Sequence, residues 1–341
     1  MKFFEDDSPF IIAEMSGNHN QSLEKALKIV DLAAEAGVNA LKMQTYTADT
    51  ITLDSSGEDF FISDPKSLWK GRTLYDLYTE AYTPWEWHKE IFTHAGEKGL
   101  KCFSTPFDVT AVEFLEELDC PCYKVASFEN TDLPLISAIA STGKPMIVST
   151  GMATISDIDR LLNTAARSGC SDVTLLKCTS CYPAPPSSCN ILTIPHMKAT
   201  FGTRVGISDH TMGIGVSLAS IPLGGRVIEK HFTDSRAEGG VDSAFSMEPA
   251  EMKMLVEESR TIYEALGQVT YGATEAETSS AKHRRSLYFT RDMKEGEIIQ
   301  DGDVRSVRPG FGLPTEFIDV VKGRKVTRDV TKGTRVSWDA I

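Results

Sequence analysis

The 341-residue chain has no segment that approaches a charge-free membrane span, and its acidic start, Met1 to Asp7, lacks the apolar core of a signal peptide. No membrane partner is expected, and a cytoplasmic location is. Basic residues are in the minority: 35 Lys and Arg stand against 48 Asp and Glu, a net charge of −13. That balance argues against nucleic acid or an anionic membrane as the main partner and leaves room for a local basic site for a small anion. Cysteine is sparse and odd in number, seven without framework spacing, which fits reduced thiols better than a disulfide scaffold. Phosphate-binding glycine loops are missing too. Neither GxxxxGK[ST] nor GxGxxG occurs, so nucleotide-binding readings lose support.

What is present is a unit repeated eight times: a short apolar run ending in polar or titratable residues, then a helix-like stretch. The runs are 10–15, 39–45, 101–107, 122–127, 145–150, 173–179, 204–210 and 226–233. Strands alternating with helical patterns predict parallel βαβ units, and eight of them close an α/β (β/α)8 TIM barrel of roughly 250 residues. Helical periodicity is read at 22–36, 84–98, 109–118, 132–141, 154–168, 213–222 and 249–266, and several of these end in Gly. The connection 46–83 is far longer than a usual βα loop and is rich in aromatics, among them Tyr46, Phe60, Phe61, Trp69, Tyr75, Tyr78 and Tyr82. It reads either as a substrate lid or as a packed excursion with its own short helix.

The barrel is expected over residues 1–267, a polar linker over 268–283 and a small β domain over 284–341. Within the last, TRDMKEG at 290–296 and TRDVTKG at 327–333 repeat, each followed by a β-rich run ending in an acidic patch, Asp301/Asp303 and Asp339. Two copies are too few for a solenoid and suit a pseudo-symmetric β domain of two interleaved hairpins.

Barrel active sites lie at the C-terminal strand ends. Those ends carry Glu14, Lys42 with Gln44, Thr105, Lys124 with Ser127, Ser149, Thr179, Ser208 with His210, and Glu229 with His231. Side chains alternate along a strand, so His210 and His231 on neighbouring strands share the inward direction with Ser208 and Glu229. Two imidazoles plus waters suit a divalent ion with open positions. Two lysines, Lys42 and Lys124, converging with Thr105, Ser127, Ser149 and Ser208 make an anion cradle of ammonium and hydroxyl donors. A Schiff-base aldolase is the rival use of a desolvated barrel lysine. A zinc site joining Cys120/Cys122 to Cys178/Cys181 is excluded on this fold, because the pairs fall at opposite strand ends, on the order of 15 Å apart.

Taken together, IIAEMSGNHNQS around Glu14, LKMQT around Lys42, FSTPF, YKVAS, VSTGM, CTSCYPAP, GISDHT and IEKHF resemble the sialic acid synthase family in order and over nearly the whole chain. VRPGFGL at 307–313 resembles its C-terminal antifreeze-like (SAF, β-clip) domain. QTYTADTITLD, LYDLYTEAYTPWEWH and KCTSCYP resemble the branch that forms pseudaminic acid. The resemblance implies condensation of phosphoenolpyruvate with an open-chain acetamido hexose, giving a nine-carbon 2-keto acid and phosphate. It assigns His210 and His231 as holders of a divalent metal, Mn2+ foremost, with Mg2+ or Co2+ as alternatives, and on chemical grounds Glu14 then serves as acid/base toward the attacking water. Lys42, Gln44, Thr105, Lys124, Ser127, Ser149, Ser180, Tyr182 and Ser208 are assigned to substrate, mostly phosphoenolpyruvate, with Ser180 standing where relatives often have Asn. Glu129 and Asp242 are assigned to sugar hydroxyls, and Arg308 to the sugar of the partner subunit in a domain-swapped homodimer.

Overall fold

The computed structural model describes residues 3–65 and 67–341. Met1 and Lys2 of the acidic start, and Lys66 of the long connection, lie outside the described residues. The chain divides into two compact units, Met1–Gly267 and Gln268–Ile341.

In the first unit eight parallel strands close on themselves in sequence order. They are β1 (Phe10–Glu14), β2 (Ala40–Thr45), β3 (Lys101–Pro106), β4 (Tyr123–Val125), β5 (Met146–Ser149), β6 (Val173–Cys178), β7 (Arg204–Ser208) and β8 (Val227–His231). Burial on both faces, expected of an all-parallel sheet, is complete along β1, β4 and β5. The flanking helices are α1 (Leu23–Ala36), α2 (Ala48–Ile51), α3 (Leu74–Ala81), α4 (Trp85–Glu97), α5 (Val109–Glu117), α6 (Leu133–Ser141), α7 (Ile155–Arg167), α8 (Thr193–Phe201), α9 (Gly215–Ser220) and α10 (Pro249–Leu266). Their starts follow from local chemistry: the side chains of Ser22, Asp108, Asp132 and Thr154 accept backbone N–H bonds at the first turns of α1, α5, α6 and α7.

Helix α8 has no counterpart among the helices read from the sequence. Its preceding residue, Leu192, provides no side-chain cap, and the Pro-rich segment before it hides the onset. The 46–83 connection is a packed excursion: α3 seats Leu77 and Ala81, Tyr46 is buried, and Phe61 and Thr73 bridge in an antiparallel turn. At the lower end of the barrel Phe3, Phe4, Phe10 and Phe103 form a plug with ring centroids 5.0–5.4 Å apart. These rings close the N-terminal end of the barrel, while Glu14, Lys42, Lys124 and Glu229 are buried toward the other end.

Residues 268–283 include the short helix α11 (Thr278–Ala281), and the second unit pairs β9 (Ser286–Phe289) antiparallel with β10 (Val304–Val307), followed by α12 (Ile318–Val321). In place of two full hairpins, the repeat is joined by isolated bridges. Met293 and Val330, the equivalent residues of TRDM and TRDV, exchange both backbone bonds at 2.9 Å. Asp292 accepts from the Lys332 N–H and Asp329 from the Glu295 N–H, the same contact made twice. The acidic run ends are ion-paired rather than free: Arg291 holds Asp303, Arg328 holds Asp339 and Lys322 holds Asp301.

Two fully buried histidines brace the rim. His88 Nδ1 donates to the Pro84 carbonyl, so Nε2 is left to accept from Thr45 Oγ1 at 2.9 Å. His19 Nδ1 accepts from the Gln21 N–H, which leaves Nε2 to donate to Thr83 Oγ1 at 3.1 Å. Burial pushes both down to about 4 from the ordinary value of 6.5. A depressed histidine binds its proton in the unfolded chain first, so stability is intact above pH 6.5 and falls as pH drops toward 4. Thermal unfolding between pH 7 and 4 is expected to show this loss, and His88→Gln to flatten its slope by up to about one proton. An unchanged slope would contradict the assignment.

Candidate active site

The upper inward layer of the barrel is a connected web of charge. Lys42 Nζ lies 2.6 Å from Glu14 Oε2, 3.9 Å from Glu229 Oε2 and 3.2 Å from Thr105 Oγ1. Lys124 Nζ lies 3.5 Å from Glu229 Oε1 and donates to Ser149 Oγ at 2.7 Å. Ser208 donates to the same Glu229 oxygen at 3.0 Å, and Gln44 Nε2 donates to Glu14 Oε1 at 2.8 Å. Seven strands thus contribute to one cluster whose lysines and carboxylates are almost wholly buried. The register explains the convergence: Glu14 faces Lys42 across β1–β2 and His231 across β1–β8, while Ser208 faces Glu229 across β7–β8.

The two carboxylates are driven apart by their surroundings. Burial raises Glu14 above the ordinary range despite Lys42, whereas for Glu229 burial is outweighed by Lys124, Lys42 and the Ser208 hydroxyl, which hold it low. Burial presses both lysines toward the neutral form. It prevails at Lys124, while Glu14 and Glu229 hold Lys42 above its ordinary value. One carboxyl is thereby suited to holding and passing a proton and the other to staying ionised. Glu229 is the member of this web that carries no role in the sequence-derived assignment, although it sits at a strand end.

Beside the lysines a second group of donors surrounds Gly151. Its N–H donates to Ser127 Oγ at 3.1 Å, and Asn130 Nδ2 braces the carbonyls of Ser149 and Gly151. A Cβ on Gly151 would lie 2.3 Å from Ser180 Oγ and 2.6 Å from Ser127 Oγ, so only glycine fits between these hydroxyls. The closeness of Gly151 to Ser180 spans the turns after β5 and β6 and has no sequence signal.

The histidines occupy the opposite side of the mouth, with ring centroids 5.3 Å apart. His210 Nδ1 donates to the Thr179 carbonyl at 3.1 Å, so a metal would meet this ring through Nε2; against burial, Cys178 and that carbonyl hold the ring above its ordinary pKa. His231 Nδ1 is buried without a hydrogen-bond partner, and burial holds this ring well below its ordinary pKa, as a neutral imidazole. An orphaned neutral ring nitrogen beside a second available one fits a divalent ion. No three His, Cys, Asp or Glu side chains form a ready-made cage among the described residues, so the chain would supply two ligands and leave the other positions open. Asp242, which accepts from Ser16 Oγ, lies 3.9 Å from His231 Nδ1. Tyr182 packs on His210 at 4.4 Å, and Trp69 of the 46–83 excursion lies 6.1 Å from Tyr182.

Glu129 stands apart from the web. Its Oε2 is buried without a partner, and burial pushes it up to about 7. Cys178, read from sequence only as a small buried hydrophobe, lies 3.8 Å from His210 Nδ1; burial would raise it, but His210 and Ser127 bring it down to about 7. Arg308 is exposed on the C-terminal unit, just past β10. Gly151→Ala is expected to keep the native circular dichroism spectrum and to weaken binding of inorganic phosphate roughly tenfold or more by calorimetry; unchanged affinity would place the anion elsewhere.

Comparison with known proteins matches this architecture. Residues 29–271 match the NeuB family and residues 284–341 the SAF domain. Over 331 residues the chain is 42% identical to a pseudaminic acid synthase of Campylobacter jejuni subsp. jejuni serotype O:23/36 (strain 81-176), covering 97% of this chain and 96% of that one. It is 35% identical over 323 residues to the N,N'-diacetyllegionaminic acid synthase of Campylobacter jejuni subsp. jejuni serotype O:2 (strain ATCC 700819 / NCTC 11168), covering 94% and 96%. The crystal structure of N-acetylneuraminic acid synthetase from Leptospira borgpetersenii serovar Hardjo-bovis superposes with a TM-score of 0.71 at 29% identity, covering 80% of this chain and 90% of that one. With the family model spanning most of the barrel and relatives aligned over nearly their full length, the chain belongs to the NeuB family and is an enzyme of it, a transferase that carries a SAF domain.

Proposed function

We propose that the chain condenses phosphoenolpyruvate with 2,4-diacetamido-2,4,6-trideoxy-L-altrose to give pseudaminic acid and phosphate. The observation that carries the reaction class is the buried Lys42 and Lys124 pair, flanked by serine and threonine hydroxyls and placed beside two available imidazoles. The choice of sugar rests on the 42% identity to a pseudaminic acid synthase, against 35% to a legionaminic acid synthase.

In this reading Lys42, Lys124, Thr105, Ser127, Ser149, Ser180, Ser208 and the Gly151 N–H receive the phosphate and carboxylate of phosphoenolpyruvate, and Tyr182 packs over them. His210 and His231 would hold the divalent ion, Mn2+ in first place. When bound, that ion supplies Lewis acidity toward the aldehyde oxygen. Carbon 3 of phosphoenolpyruvate bonds to the aldehyde carbon, whose oxygen takes a proton, and water then adds to carbon 2. Glu14, with its raised pKa, takes the proton from that water, and the lysines stabilise the phosphate as the bond from carbon 2 to its bridging oxygen breaks. Gln44 orients Glu14 by its 2.8 Å hydrogen bond. Glu129 and Asp242 meet sugar hydroxyls, and Arg308 reaches the sugar bound by the partner subunit in a domain-swapped dimer.

In water labelled with 18O, the phosphate released is expected to carry ordinary oxygen, and label in the phosphate would sink the C–O cleavage scheme. Phosphate release with the altrose, with N-acetylmannosamine and with its 2,4-diacetamido analogue is expected to be fastest with the first. EDTA is expected to abolish it, whereas a Schiff-base aldolase survives EDTA and gives a borohydride-trapped pyruvyl adduct. Finally, Arg308→Ala and His210→Ala chains, each inactive alone, are expected to recover about a quarter of native activity when co-refolded, since half the dimers then carry one intact site. No recovery would contradict the exchange of Arg308 between subunits.

A further inference from the structure

Strands β7 and β8 carry their functional side chains inward at Ser208, His210, Glu229 and His231. The residues between them, Asp209 and Lys230, point to the outer face and meet there. Lys230 Nζ lies 3.3 Å from Asp209 Oδ2, both side chains being 1% exposed. The same ammonium donates to the carbonyls of Thr211 and Gly213. All three of its N–H groups are therefore used. Asp209 is held in turn by the Thr211 N–H at 2.9 Å and by Ser217 Oγ, on α9, at 2.6 Å.

The position of this pair matters because the ladder between the two strands stops short of the histidines. Its last register pair is Ser208 with Glu229, and one more backbone bond, Asp209 N–H to the Glu229 carbonyl at 2.9 Å, closes it. His210 and His231 lie beyond. Lys230, next to His231, grips residues 209, 211 and 213, which bracket His210 on both sides. On energetic grounds a buried ion pair here is replaceable by apolar side chains at little or no loss of stability. What an apolar pair cannot do is fix one strand end against the other at defined points.

We propose that Asp209 and Lys230 are positioning residues, a clamp behind the barrel wall that sets the separation of the two imidazoles and so their joint affinity for a divalent ion. The inference rests on the reading of His210 and His231 as the holders of that ion. It is tested with Mn2+ alone, the free ion being followed by its electron paramagnetic resonance signal, in the full chain. Asp209→Asn/Lys230→Met, which removes both charges together, is expected to bind Mn2+ about 10–100-fold more weakly, as loss of outer support does at other metal sites. Its affinity for inorganic phosphate, which general unfolding would also abolish, is expected to stay within about twofold of native.

Native Mn2+ affinity in the folded double variant overturns the clamp. If instead the native chain binds no Mn2+, or His210→Ala binds it as tightly as the native chain, the imidazole reading itself fails and the clamp with it. Should the double variant not fold, Ser217→Ala decides: it keeps both charges and removes one donor to Asp209. Several-fold weaker Mn2+ binding supports the clamp, and unchanged binding overturns it.

Discussion

Everything at the mouth of this barrel depends on Glu229 standing between Lys42 and Lys124. Two ammonium groups buried in a side-chain-filled barrel cost several kcal/mol each unless compensated, and Glu229 with Glu14 supplies that compensation from inside the same layer. A packed apolar layer would be as stable or more so. The web is therefore best understood as a site that keeps cationic donors in place, with Ser208, Thr105 and Ser149 fixing where each charge points.

The same layer separates proton chemistry from charge. Glu14 and Glu229 are the same functional group a strand apart, yet only Glu229 receives both lysines and a hydroxyl, and burial prevails at Glu14. Alternation along β7 and β8 divides the work again. Inward positions carry imidazole, hydroxyl and carboxylate, and outward positions carry the Asp209–Lys230 pair. A strand end thus presents chemistry on one face and its own support on the other.

Much of this was legible in the chain. Eight apolar runs with polar ends gave the barrel because strand and helix periods differ, and period-two alternation placed Ser208 with His210 and Glu229 with His231 on the inner side. What stayed hidden depends on distances across the closed barrel. Glu229 was visible as a strand-end residue, but its reach to lysines on β2 and β4 follows from closure and strand stagger, which no local pattern encodes. The approach of Ser180 to Gly151 and of Cys178 to His210 arises in the same way. Helix α8 has no sequence signal because it lacks a side-chain cap, while the 290–296 and 327–333 repeat is plain in sequence and reappears as Met293 bridged to Val330.

The most direct test of the account is a crystal structure of the chain with phosphoenolpyruvate and Mn2+. It should place the anionic oxygens against Lys42, Lys124, Ser149 and the Gly151 N–H, with Glu229 still bonded to Ser208 and the ion between His210 and His231. An anion bound away from both lysines, or a covalent pyruvyl imine on Lys124, would contradict it.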